Sequence, residues 1–177
     1  MSIDPNSLDE VSRDFIAHIA EQRPDWLAHA RSLPNEASDT RCLVIEFPSP
    51  PGFDGREALW ISTYGREVTV GMDAYHAHFP WPTDYNGEDG RPAAMEHVDA
   101  LMDEKLVVVS LWDGDRDLAG SSLAPGRLTE LQEVPDGPQE LRVRSWRGTY
   151  NRTLRSDWDT YLRLVDERHS SVFRTIP

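Results

Sequence analysis

The chain has 177 residues, 38% of them hydrophobic, and a net charge of −13 at pH 7. No run approaches the roughly 18 consecutive apolar residues of a transmembrane helix, and the single cysteine, Cys42, excludes an internal disulfide. The N-terminal MSIDPNSLDE lacks the basic and apolar regions of a signal peptide, so we expect a cytoplasmic protein of one domain, residues 1–177.

The first part of the chain predicts helix before strand. Ser7 and Glu10 form an S-x-x-E capping box, and apolar residues at helical spacing follow, which predicts a helix over 8–22. Pro24 can begin a second, short helix. Residues 34–40 are typical of a loop, and residues 42–47 of a strand.

The clearest element is a hairpin. Residues 58–64 and 66–72 are rich in β-formers and flank Gly65. Alternation along the second run predicts that Val68 and Val70 face the core, whereas Glu67 and Thr69 face away.

The remainder alternates between helix and strand without regular repeats. A helix is predicted from Pro92, and the nearly continuous apolar run 106–112 predicts a central strand buried on both faces. Asp113-Gly114 indicates a tight turn into a strand at 118–123, and 141–147 alternates like a half-exposed strand. A last helix fits 157–168, with Ser156 as its cap. Its expected sheet-facing residues are Trp158, Tyr161, Leu162 and Val165.

This order predicts an α+β fold. We expect one mostly antiparallel β-sheet that contains 58–64, 66–72 and 106–112, with helices packed on one face.

An H-x-H pair follows the hairpin. His76 and His78 would share one face of a strand, as the ligands of a metal site do. A third ligand is missing at suitable spacing, and Pro80 and Pro82 interrupt any strand that follows. We therefore expect neither a metal nor a cofactor, and no G-x-S-x-G, Walker, G-x-G-x-x-G or H-E-x-x-H motif indicates catalysis.

The same stretch is a candidate binding surface, because aromatic anchors dominate protein interfaces and loops carry binding residues. A packed structural corner is the alternative interpretation. The candidate partner-binding residues are Asp73, Tyr75, His76, His78, Trp81, Asp84, Tyr85, Glu88 and Asp89.

Charge is unevenly distributed. Residues 141–177 hold 8 arginines against 4 acidic residues, a net +4, so residues 1–140 carry −17. An acidic surface repels phosphate and attracts a basic partner, although acidity also simply keeps a protein soluble. The basic stripe of Arg142, Arg144, Arg147, Arg152 and Arg155 could grip an anion, but internal pairing with carboxylates is the favoured interpretation.

Two stretches carry a resemblance, LWISTYGREVTVGMDAYHAHFPWP and ALMDEKLVVVSLWDGDRDLAGSSL. An E-V-T-V-G strand, a Y-H-x-H-F corner, and a helix leading into V-V-V-S and G-S-S resemble immunity proteins of contact-dependent growth inhibition and related polymorphic toxin systems. The resemblance covers about residues 58–123. It implies a non-catalytic bacterial protein that binds and blocks the C-terminal domain of a cognate toxin.

Charge refines that expectation. Nuclease toxins are basic because they bind phosphate, so an acidic inhibitor would associate rapidly with one. The partner expected is therefore a basic toxin domain, with neither nucleic acid nor membrane bound directly. The alternatives are a small enzyme that uses His76 and His78, with Asp73 or Tyr75, as acid–base groups, and a ligand-binding domain.

Overall fold

The structure is a computed structural model that describes residues 3–35, 39–63, 67–80 and 89–165. The chain divides into two compact units, each assembled from segments distant in sequence. The first comprises Met1–Pro48, Ala58–Gly71 and His78–Val98, and the second Ser49–Glu57, Met72–Ala77 and Asp99–Pro177. Whether the chain behaves as the single domain expected from its length stays a prediction.

The described residues form three α-helices and nine strands. The helices are α1 (Glu10–Gln22), α2 (Gly90–Met102) and α3 (Trp158–Val165). The strands are β1 (Ala30–Pro34), β2 (Arg41–Glu46), β3 (Trp60–Ser62), β4 (Glu67–Met72), β5 (Tyr75–Pro80), β6 (Val107–Asp113), β7 (Arg116–Leu123), β8 (Gln139–Arg144) and β9 (Arg152–Ser156). Short 3₁₀ helices occupy Pro5–Ser7, Pro24–His29 and Pro125–Glu130.

The strands form two antiparallel sheets, so the α+β class is confirmed. Five strands lie in the order β1-β2-β3-β4-β5, and four in the order β7-β6-β8-β9. The predicted hairpin is β3 and β4, with Ile61 opposite Val70, and its Gly65 turn lies outside the described residues. The expectation that 106–112 joins this hairpin in one sheet was wrong, because β6 pairs with β7 and β8 in the four-stranded sheet.

The first unit packs α1 on its strands. Phe15 and Ile19 are fully buried at four-residue spacing, as the helical period requires. Beside them the buried hydroxyls of Ser12 and Thr63 lie 2.6 Å apart, and the Leu43 amide donates to both, at 3.1 and 3.0 Å. Each buried polar atom of this network thus has a partner, which avoids the cost of burying it unbonded.

Helix α1 begins two residues later than the capping box predicts. The Asp9 carboxylate, rather than the Ser7 hydroxyl, accepts from the backbone N–H of Ser12, at 2.8 Å. Ser7 instead ends the preceding 3₁₀ helix, and its hydroxyl donates to the carbonyl of Asp4.

The second unit has β6 at its centre. Every residue from Val107 to Trp112 is buried, as the apolar run predicts. One face of the sheet joins a core cluster to which α3 contributes Tyr161 and Leu164. Two residues predicted to dock there do not: Trp158 is 43% exposed and Leu162 41% exposed.

The start of α3 also differs from expectation. The Asp157 carboxylate accepts from the backbone N–H of Thr160 at 2.7 Å, so Asp157 fills the capping role assigned to Ser156. Ser156 is fully buried at the end of β9.

Candidate functional site

Two candidate binding residues, Asp73 in the turn between β4 and β5 and Tyr75 at the start of β5, are buried. Asp73 is 7% exposed and has a left-handed backbone, φ +56°, which aspartate tolerates better than most residues. Its carboxylate accepts from the Arg56 N–H at 2.7 Å and from the Ser110 hydroxyl at 3.4 Å. Asp73 therefore holds the turn in place and offers little surface to a partner.

Tyr75 is similarly enclosed, at 9% exposed. Its phenol oxygen accepts from the Ser122 hydroxyl at 3.0 Å, and burial raises the pKa of the phenol, which keeps it neutral. The backbone comes this close because Gly120, on β7, has no side chain: a Cβ there would overlap the carbonyl oxygen of Ala74. Tyr75 thus supports the second unit from inside.

The two histidines of the H-x-H pair have different surroundings. His76 is exposed on β5, whereas His78 is half-buried beside β4. His78 Nδ1 contacts the Glu67 carboxylate, and the Thr69 hydroxyl lies 3.2 Å from the same nitrogen. Thr69 shares the strand face of Glu67, as the alternation predicts, because its hydroxyl contacts both Glu67 and His78, but it is covered there and only 8% exposed.

This cluster can orient one imidazole, but it lacks the geometry of a nucleophile relay. A hydroxyl–histidine–carboxylate relay places the nucleophile and the orienting carboxylate on opposite ring nitrogens. Here Thr69 and Glu67 share Nδ1. The arrangement supports a simple proton donor or acceptor at His78, or a structural contact between two strands.

Asp89 lies at the N-terminus of α2, exposed but already engaged. It accepts from the Arg91 backbone N–H at 3.0 Å and from two guanidinium nitrogens of Arg91, both at 2.8 Å. The hydrogen bond from the Arg91 side chain lowers the pKa of Asp89, so the pair is ionised and its charge is largely balanced.

The other four candidates, Trp81, Asp84, Tyr85 and Glu88, lie outside the described residues. Of the nine candidates, the described ones with exposed side chains are His76 and Asp89, and His78 is half-buried. Over the ranges that the structure describes, no three His, Cys, Asp or Glu side chains group in a way that could hold a metal ion.

Exposed carboxylates also concentrate on two elements outside the candidate binding surface. Glu10, Asp14 and Glu21 lie along the outer face of α1, with Arg13 beside them. The hydrogen bond to Asp89 and the charge of Asp14 both raise the pKa of Arg91, so Asp14 acts on a cation of the same unit. In the second unit, Asp113, Asp115 and Asp117 surround the β6–β7 turn, and Asp117 lies 3.4 Å from Arg56.

The arginines of the basic stripe are largely paired inside the second unit. The Arg142 guanidinium lies 4.1 Å above the Trp112 ring and 3.0 Å from Glu140. Arg144 pairs with Asp54 at 3.1 Å. These contacts favour internal pairing over an anion site.

A cleft of about 460 Å³ in the second unit is the size of many small-molecule sites. Its polar walls are already engaged: Arg152 donates to the Leu128 carbonyl, and the Asn151 amide bonds the Ser145 N–H and the Asp54 carboxylate. Two of its polar side chains, Asn151 and Arg152, are thus committed to contacts within the chain. The lining residues are Pro125, Leu128, Thr129, Thr149, Tyr150, Asn151 and Arg152.

Sequence reasoning missed the exposed Trp158 and Leu162. Apolar residues of α3 cover more than one face of the helix, and periodicity alone does not tell which face the sheet takes. The side chains of Thr160, Tyr161 and Leu164 occupy the buried face instead. An exposed tryptophan is notable because such residues concentrate at protein interfaces.

No protein-family model matches the chain, and comparisons with curated proteins and with solved structures find no match either. None of the helices within the described ranges has both the length and the apolar character required to cross a membrane.

Proposed function

We propose that this protein is an immunity protein that binds and neutralises a basic bacterial toxin domain in the cytoplasm. The observation that carries the proposal is the acidic excess: a net charge of −13, with exposed carboxylates on α1 such as Glu10 and Glu21. Arg91, Arg142 and Arg144 each pair with a carboxylate of this chain, and each pair cancels one charge of either sign, so the excess of negative charge remains.

Charge of this kind acts mainly on the rate of association. Complementary potentials steer two proteins together and raise the on-rate above that of neutral pairs. An immunity protein has to capture its toxin before the toxin acts, so a fast on-rate serves that role. A nuclease domain, basic because it binds phosphate, is the partner chemistry that fits best.

Co-expression tests the proposal. The proposal predicts that a large secreted protein is encoded beside this gene, and the C-terminal domain of that protein is induced in a bacterial host, with and without this protein. We expect the domain alone to stop growth and co-expression to restore it, with a 1:1 complex recovered from the cells. Growth arrest that persists at full expression of this protein would refute the proposal.

The contact between Glu67 and His78 favours a second candidate, an enzyme that uses His78 as an acid–base group. Stoichiometry separates the two. A binding inhibitor protects only up to one toxin domain per molecule. Protection by far less than one equivalent, abolished by His78→Gln, would indicate catalysis.

A further inference from the structure

Helix α3 presents an apolar pair to solvent. Trp158 is 43% exposed and Leu162 is 41% exposed, and they lie four residues apart, so their side chains are neighbours on one helix face. We call Trp158 and Leu162 the α3 patch. Most of the large apolar residues among those described are buried, which makes an exposed pair one turn apart a distinct surface feature.

The indole of Trp158 is held by the core beneath it. Its ring centroid lies 5.8 Å from that of Tyr161, which is 4% exposed and belongs to the core cluster of the second unit. A ring supported in this way loses little conformational freedom when a partner covers it. The α3 patch therefore has the properties of an interface anchor: large, aromatic and already oriented.

Carboxylates border the α3 patch. Asp157 and Asp159 flank Trp158 in sequence, and Asp159 is exposed. The segment before β8 runs beside the end of β9, because the Val134 N–H donates to the Arg155 carbonyl at 3.0 Å and Gly137 packs against the Ser156 backbone.

That segment adds two more exposed carboxylates, Glu133 and Asp136. The cations in the same segments are Arg155 and Arg163, and the Arg163 guanidinium donates to the Thr160 hydroxyl at 3.0 Å. The 3₁₀ helix Pro125–Glu130 adds one cation and one carboxylate beside α3, because Arg127 donates to the Leu164 carbonyl and lies 2.9 Å from Glu130. Five carboxylates against three arginines leave this border acidic, even though residues 141–177 as a whole carry +4.

We propose that the α3 patch is the anchor on which the basic toxin domain docks, with the apolar pair at the centre of the interface and the carboxylates at its rim. This inference rests on the proposed function and adds its contact surface. An apolar centre slows dissociation, and an acidic rim speeds association with a basic partner.

Dissociation kinetics test the assignment. The toxin domain encoded beside the gene, in a catalytically inactive form, is immobilised and the full-length protein is passed over it. We expect Trp158→Ala and Leu162→Ala each to raise the dissociation rate by about 10-fold or more, the size typical of a central anchor. Leu33→Ala is the matched control, because Leu33 is another exposed apolar residue, 37% exposed, on β1 of the first unit.

The other outcomes each have a definite meaning. Wild-type binding with unchanged dissociation of both α3 variants overturns the α3 assignment and leaves the proposed function standing, and Trp81→Ala is then the next variant to measure. No wild-type binding refutes the proposed function, and the α3 assignment with it. A wild-type dimer that Trp158→Ala converts to a monomer makes a second copy the occupant. If Trp158→Ala lowers stability but leaves the dissociation rate unchanged, the chain itself covers the patch. Either of these last two results, a dimer through the patch or a patch covered by the chain, overturns the proposal.

Discussion

Gly120 shows how one absent side chain positions part of the candidate site. The β4–β5 turn lies so close to β7 that a Cβ at Gly120 would meet the Ala74 carbonyl oxygen and approach the Tyr75 backbone. This approach brings the Tyr75 phenol within hydrogen-bonding distance of Ser122. The turn and β7 can therefore separate only by breaking contacts within the second unit.

Replacing this glycine should be costly. We expect Gly120→Ala to lower the free energy of unfolding by about 1–3 kcal/mol, because the obstacle is backbone and cannot rotate away. Gly126→Ala is the matched control, since a Cβ at Gly126 meets no atom within 4 Å. Urea unfolding of both variants measures the difference; equal stabilities would contradict the close approach.

His97 is a second residue with a measurable signature. Burial lowers its pKa to about 4 from the model-peptide value of 6.5, and its ring centroid lies 5.5 Å from that of Phe79. As the pH falls, the unfolded chain therefore protonates His97 near pH 6.5, whereas the folded chain does so only near pH 4. Its contribution to stability is complete above pH 6.5 and falls as the pH is lowered through that window.

The loss at His97 should reach about 3 kcal/mol by pH 4, from the difference of the two pKa values. Carboxylates titrate in the same range, so the quantity to measure is the difference between wild type and His97→Gln in urea unfolding from pH 7 to pH 4. Stability should fall less steeply in the variant. Parallel curves for wild type and His97→Gln would contradict the prediction.

At the scale of elements, the N-terminus of α1 has two candidate N-cap residues, Ser7 and Asp9, which the sequence alone does not distinguish. Asp9 accepts the Ser12 N–H at 2.8 Å, whereas the Ser7 hydroxyl bonds a carbonyl outside the helix. We expect Asp9→Ala to cost about 1 kcal/mol of stability, as loss of an N-cap does, and Ser7→Ala to cost less. Thermal unfolding of the two variants decides, and a larger loss for Ser7→Ala would restore the capping-box interpretation.

Elements with a strong hydrophobic signal were predicted from the sequence, whereas two of the edge strands, β1 and β9, were not. Hydrophobic residues predicted β2 and β6, which are apolar runs, and α2, which carries an apolar stripe at helical spacing. Strands β1 and β9 lie at sheet edges and carry mostly exposed or half-exposed side chains, so backbone pairing makes them strands without a hydrophobic pattern. The sheet that β6 joins is decided by its pairing with other strands, including one distant in sequence. Hydrophobic periodicity carries no information about that pairing.

The candidate site was less predictable than the fold, for a physical reason. Exposure depends on which distant residue covers a side chain. Ser122 and Ser110 engage Tyr75 and Asp73, which look like surface residues in the sequence, whereas Trp158 looks like a core residue and is open. Residue type identified aromatic and acidic candidates, but it did not identify which of them a partner could touch.

On the scale of the whole molecule, charge is the feature that the proposed function uses. A net charge of −13 gives a long-range field that salt weakens, since the Debye length falls from about 30 Å at 0.01 M to about 8 Å at 0.15 M. Apolar contact at the α3 patch is short-ranged and far less sensitive to salt. The association rate should therefore depend on salt and surface charge, and the dissociation rate on the apolar contact at the α3 patch.

The outer face of α1 provides variants for the charge part of the account. We expect Glu10→Gln, Asp14→Asn and Glu21→Gln together to slow association with the toxin domain and to leave its dissociation rate nearly unchanged. Arg13→Gln, on the same helix, makes the surface more acidic and should slightly speed association. Stopped-flow mixing at low salt resolves both changes, and a triple variant that associates as fast as wild type would remove α1 from the steering surface.

The central claim is that an acidic protein captures a basic toxin domain, and its most direct test is the association rate constant of the two as salt is raised. Full-length protein and the inactive domain encoded beside its gene are mixed at about 20 mM and about 300 mM NaCl. The account predicts a 1:1 complex whose association rate falls by about 10-fold or more over that range, with a much smaller change in dissociation. No complex, or an association rate indifferent to salt, would contradict it.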